Sequence, residues 1–220
     1  MTRSRGAREK AIDTADHEIT VDLEKAGLDP GETYLAFEFW TQQFLGEVTG
    51  ELSLDVPADT PRVVFLRKRL PHPQFIGTNR HVLGGVGVIR SLVWVDAIST
   101  LNGTQEGSVG TTYAPFTNQV TFYVPDGSSA EQADVIAPEG YEIQNKTLDV
   151  DGNVATLCFD VIELDGACPP DEPCMHPVVT WSVKFSTGCR LSVEAGYQIF
   201  VRPSRAKRAY SFVSTARSRT

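Results

Sequence analysis

Along most of the chain apolar and polar residues alternate with period two, which is how strands with one buried and one solvated face are written. In "VVTWSVKF", Val179, Trp181, Val183 and Phe185 alternate with Thr180, Ser182 and Lys184. In "VATLCFDVIEL", Leu157, Phe159 and Val161 take one face and Thr156, Cys158 and Asp160 the other. In "YLAFEFW", Leu35, Phe37 and Phe39 oppose Tyr34, Glu38 and Trp40. The same pattern predicts strands over 45–54, 62–70, 86–95, 119–124, 141–144, 146–150 and 191–201. Turn signals punctuate them: "DPGE" at 29–32, "LNGT" at 101–104, "PDG" at 125–127 and "DGN" at 151–153. Only residues 5–16 and 128–135 carry a weak helical pattern. Many short strands between turns predict an all-β fold, an antiparallel β-sandwich of Greek-key or jelly-roll type with few or no helices. Leu35, Phe37, Phe39, Phe159, Trp181, Val183 and Phe185 are expected on the inner faces of its sheets.

Composition bounds this picture. A chain of 220 residues with 41% hydrophobic content can build one sizeable core. The expected division is a basic, flexible segment at 1–20, a single sandwich domain at 21–200 and a basic, flexible tail at 201–220. The net charge of −8 conceals an asymmetry. Four basic residues and one acid fall in 1–10, and six basic residues and no acid in 201–220. Positions 11–200 therefore hold 10 basic and 27 acidic residues, a net of −17. An acidic body repels phosphate and excludes a nucleic-acid-binding core, leaving only the basic tails as contacts for polyanions. No apolar run approaches the roughly 20 residues of a bilayer span, so no membrane partner is expected. "MTRSRGAREK" has no apolar signal core, so the localisation is left open: either the protein stays inside the cell, the cytoplasm being the default, or its export signal is absent from this chain.

Motifs for chemistry are sparse. No G-x-S-x-G elbow, P-loop or G-x-G-x-x-G fingerprint occurs, and acid pairs such as Asp149/Asp151 and Asp171/Glu172 sit in turns, where solvated carboxylates are the rule. No catalytic residue and no cofactor is therefore assigned. Cys168 and Cys174 bracket "PPDEP", and His176 follows. A disulfide between the two cysteines and a zinc site of Cys168, Cys174 and His176 both remain open, although C-x5-C-x-H matches no common zinc knuckle. Asn102 and Asn145 begin N-glycosylation sequons. Trp40 ends a strand on its polar face; it is either a platform for a pyranose ring or a packed aromatic. In "FIGTNRHVLGG", Asn79, Arg80 and His81 stand side by side before a double glycine. They either brace a loop by hydrogen bonding or face a sugar or partner.

Three phrases, "YLAFEFWTQQFLGEV", "HPQFIGTNRHVLGGVGVIRSLVWVDAISTLNG" and "VTFYVPDG", occur in this order within Thr33–Phe185. Together they resemble the β-sandwich region that follows the barrel in bacterial melibiase-like (α-galactosidase-like) glycoside hydrolases. The catalytic carboxylates of that family sit on a (β/α)8 barrel of about 250 residues, for which this chain has neither the length nor the β/α alternation. "ACPPDEPCMHP" and everything after Cys189 fall outside the likeness. The resemblance implies a sandwich associated with carbohydrate, with a glycoside hydrolase barrel as a partner, and makes Asn79, Arg80 and His81 braces of a supporting domain. Trp40, Asn79, Arg80 and His81 are the sugar-facing candidates that the residues themselves offer. It carries over no catalytic residue. A jelly-roll assembly protein without sugar binding is the alternative, and a stand-alone enzyme a third.

Overall fold

The computed structural model describes residues 17–58, 61–80, 85, 87–110, 115–164 and 176–187. They form thirteen strands: β1 (His17–Asp22), β2 (Tyr34–Glu38), β3 (Gln43–Val48), β4 (Glu51–Val56), β5 (Val64–Lys68), β6 (Gln74–Thr78), β7 (Ile89–Val95), β8 (Thr100–Glu106), β9 (Thr117–Tyr123), β10 (Ser128–Ile136), β11 (Tyr141–Asp151), β12 (Val154–Glu163) and β13 (Val178–Thr187). A 3-10 turn at Asp96–Ile98 is the helical element among them. The fold is all-β, with every strand pair antiparallel.

Two four-stranded sheets, ordered β10-β13-β8-β7 and β11-β12-β9-β6, enclose the main core. Trp181, Val183 and Phe185 of β13 meet Leu157 and Phe159 of β12 and Phe122 of β9 there. Period-two alternation decides this: β12 reads buried at Ala155, Leu157, Phe159 and Val161 and half-buried between. The Trp181 indole packs edge-on to Phe122, with ring centroids 5.2 Å apart, and donates to Gln105 Oε1 at 3.2 Å. A buried indole N–H needs such a partner. The ring lies directly over Gly103 of β8, where any Cβ would collide with it.

A third sheet, β3-β2-β5, packs on the outer face of β11-β12-β9-β6 at its β9-β6 end. Leu35 and Phe37 of β2 pack on Ile76 of β6 and Tyr123 of β9. The Phe37 ring occupies the space a Cβ would need at Gly77. On the other side of β2, Tyr34 and Ala36 pack against Leu23 and Leu52, the latter from the two-stranded β1-β4 sheet. Every residue of β2 is therefore buried. Arg69 and Glu47 tie the third sheet to the sandwich. Arg69 Nε lies 2.8 Å from a Glu47 carboxylate oxygen, which also accepts the Tyr123 hydroxyl proton at 2.5 Å.

Several expectations change. The seven predicted core residues are all buried, but Leu35 and Phe37 belong to the packing between β2 and β6–β9, and Phe39 packs on Phe65 and Trp40, outside the main core. The Tyr34–Glu38 face of β2 is buried, because the β1-β4 layer covers it. The helical pattern at 128–135 is strand β10. A bulge between Ala130 and Gln132 puts inward-facing alanines at 130 and 133, which imitates helical spacing. "LNGT" is not a turn but the middle of β8, its glycine required by Trp181. Residues 45–54 make two strands, broken at Thr49–Gly50, and the two segments at 141–150 are one strand with a bulge where Asn145 takes φ 50°. β1 begins at His17, inside the segment expected to be flexible, because β4 supplies it with a partner. The strand at 191–201, the helical pattern at 5–16 and the tail at 201–220 lie outside the described residues. Among the described residues no helix is long and apolar enough to cross a membrane.

Candidate functional site

The segment "EFWTQQF" leaves β2, turns and enters β3. Glu38 holds the turn. It is 2% exposed, and its carboxylate accepts the Thr41 amide and hydroxyl, each at 2.6 Å, and the Val63 amide at 3.4 Å. Burial alone would raise its pKa, but hydrogen bonds from Thr41, from the Trp40 amide and from Val63 outweigh it and hold the carboxyl below its ordinary value. Arg62 completes the arrangement with Nη1 3.7 Å from Glu38. On the far side of the turn Gln42 adopts φ 55°, a conformation unfavourable for residues other than glycine, and its amide nitrogen donates to the Phe39 carbonyl.

This clasp presents Trp40. The indole is 56% exposed while its edge rests on Phe39, ring centroids 5.0 Å apart, and Phe39 in turn packs on Phe65. A large apolar ring is thus held in solvent by a turn that the Glu38 carboxylate fixes, although the Gln42 side-chain oxygen within it is buried without a partner. Beside it, the space between the β1-β4 layer and the β3-β2-β5 sheet opens as a cleft of about 380 Å³. Its lining combines Glu38, Thr41, Gln43, Ser53, Asp55 and Arg62 with the apolar side chains of Leu45, Val48, Leu52 and Leu54. That size lies in the lower part of the range of small-ligand clefts, about 300–1,000 Å³.

Asn79 and Arg80 behave differently from Trp40. Asn79 donates to the Thr117 carbonyl at 2.8 Å and accepts the Gln119 amide at 3.0 Å, pinning the end of β6 to β9. Arg80 Nη1 donates to the Glu106 carbonyl at 2.5 Å. Buried Asn118 exchanges hydrogen bonds with both backbone groups of Ser108 at 2.8 and 2.9 Å. These three side chains stitch the chain after β8 to β6 and β9, and the Asn79 and Arg80 bonds go to main chain. His81 lies outside the described residues.

Cys168 and Cys174 also lie outside the described residues, and His176 is exposed. Cys158 is a free thiol on β12 whose pKa is raised by burial and by the neighbouring Asp149 and Asp160 charges, the opposite of what a nucleophile needs. Among the described residues no group of three or more His, Cys, Asp or Glu side chains is placed to hold a metal.

Sequence reasoning singled out Trp40 but missed Arg62, Asp55 and Gln43, which reach the cleft from three different segments. The available signal was Glu38-x-x-Thr41, an acid and a hydroxyl spaced to close a tight turn. No family profile matches the chain, and no curated protein or solved structure is significantly similar to it.

Proposed function

We propose that this chain is a non-catalytic, carbohydrate-associated β-sandwich module, accessory to a glycoside hydrolase or docking on its barrel. The observation that carries the reading is Trp40: an indole more than half exposed, on a turn held by a buried carboxylate. Sugars present apolar C–H faces that stack on such rings, and the cleft beside the turn supplies hydrogen-bonding groups. The resemblance of the three phrases within Thr33–Phe185 to the melibiase-like sandwich region supports the same reading. Asn79 and Arg80 serve it as braces. The test is an oligosaccharide array probed with the full chain and with Trp40→Ala. Binding that weakens on removal of the indole supports the module; an array on which the full chain binds nothing overturns it.

A second reading is favoured by a separate observation. Among the described residues β7 is an edge strand, and Leu92, Val93 and, just beyond it, Ile98 are 40%, 53% and 59% exposed. An unpaired apolar edge suits assembly with another chain. A solution mass above that of one chain, abolished by Val93→Lys, is the outcome that favours an assembly protein.

A further inference from the structure

We infer that the cleft between the β1-β4 layer and the β3-β2-β5 sheet is a subsite for a neutral sugar ring that discriminates against uronic acids. This rests on the carbohydrate reading proposed for Trp40. The cleft holds about 380 Å³, room for one ring with its water. Its charged lining is two carboxylates, Glu38 and Asp55, against one guanidinium, Arg62, a local balance of −1. Glu38 is held ionised by its hydrogen bonds, so that balance persists at neutral pH. The one cation is already turned toward Glu38, Nη1 at 3.7 Å. An incoming carboxylate would meet net repulsion and displace an existing ion pair. A neutral polyol meets the opposite conditions. Asp55 and Gln43 offer acceptors and Gln43 offers donors, both side chains being exposed, whereas the Thr41 hydroxyl is committed to Glu38 and the Ser53 hydroxyl is paired with that of Thr20. Leu45 and Leu54 supply the apolar wall on which a ring's C–H face can lie.

The arrangement also explains why the Glu38 clasp stands where it does. One carboxylate fixes the turn that projects Trp40 and forms part of the cleft, so ring platform and polar subsite are held in fixed relation through residues 38–41. Glu38 is a positioning residue, whereas Gln43 and Asp55 are the groups that would touch the sugar.

The experiment uses the full chain, titrated calorimetrically with neutral oligosaccharides found on an array and with matched oligosaccharides containing glucuronic or galacturonic acid. The double variant Gln43→Ala/Asp55→Asn leaves the Glu38–Arg62 pair in place, and its melting temperature is measured alongside. A neutral-sugar affinity at least tenfold above that for the uronic acids, reduced at least tenfold in the double variant with the melting temperature unchanged, is expected. Leu45→Arg, which places a bulky cation at the cleft wall, is expected to reduce neutral-sugar binding to the same degree. Neutral-sugar binding that survives both variants, or a preference for uronic acids, overturns the subsite while leaving the Trp40 reading standing. Binding of no saccharide overturns both.

Discussion

Glu38 is a buried charge whose stabilising effect depends on pH with a definite sign. Its folded pKa lies below the ordinary value, so its contribution is complete above the unfolded value of about 4.3 and is lost as pH falls through the folded value. Glu38→Gln is expected to be less stable than the parent at pH 7 and to lose less stability on acidification to pH 3, as read by urea unfolding at each pH. Parallel pH profiles for the two proteins would remove the carboxylate from the account. The stitching residues make a second prediction at this scale. Asn79→Ala leaves the Gln119 amide and the Thr117 carbonyl without partners and is expected to cost about 1–3 kcal/mol in chemical denaturation. A loss below about 0.5 kcal/mol would mean that Asn79 braces nothing. The sequence showed that Asn79 and Arg80 are suited to hydrogen bonding. It could not show their partners, which lie at Thr117, Gln119 and Glu106, some 26–40 residues away.

Among the elements, β13 shows how far a pattern carries. Strict alternation from Val179 to Phe185 fixed both its strand character and its inward face, and all four apolar residues are buried. Trp181→Ala is expected to cost about 3–5 kcal/mol through cavity formation. Gly103→Ala is expected to be comparably disruptive, since the new methyl falls inside the Trp181 ring; a double variant Gly103→Ala/Trp181→Leu that regains stability over Gly103→Ala would locate the clash. The elements the sequence concealed share one cause: their composition answers to a neighbour rather than to strand propensity. β8 carries Asn-Gly in its middle because an indole needs the space. β10 carries Ala, Glu and Gln, with a bulge that shifts its inward positions from a spacing of two to three. β2 places Glu38 on a buried face because Thr41, Val63 and Arg62 satisfy it, and of these only Thr41 is near it in sequence.

For the whole molecule, the described residues build a layered stack in which the sheet β11-β12-β9-β6 packs on one face against β10-β13-β8-β7 and, at its β9-β6 end, on the other face against β3-β2-β5. The sandwich class was legible because most strands keep one apolar face. The third sheet was not, because the alternation in Tyr34–Glu38 announces a strand with one wet face, whereas the β1-β4 layer buries that face of β2 as well. The candidate site divided in the same way: Trp40 stood out by residue type, while the cleft arises only when residues 38–45 and 48–62 fold together. The proposed non-catalytic role predicts that the chain leaves nitrophenyl α- and β-glycosides intact, and turnover that survives repurification and vanishes on mutation of one specific acid would refute that. The most direct test of the central claim is calorimetric titration of the full chain and of Trp40→Ala with the best oligosaccharide ligand from an array, each protein's melting temperature being recorded. The predicted result is saturable binding by the parent, at least tenfold weaker binding by Trp40→Ala, and a melting shift of only about 1–2 °C, as expected for an exposed substitution. Equal affinity in the two proteins, or a collapse of stability on losing the indole, would contradict it.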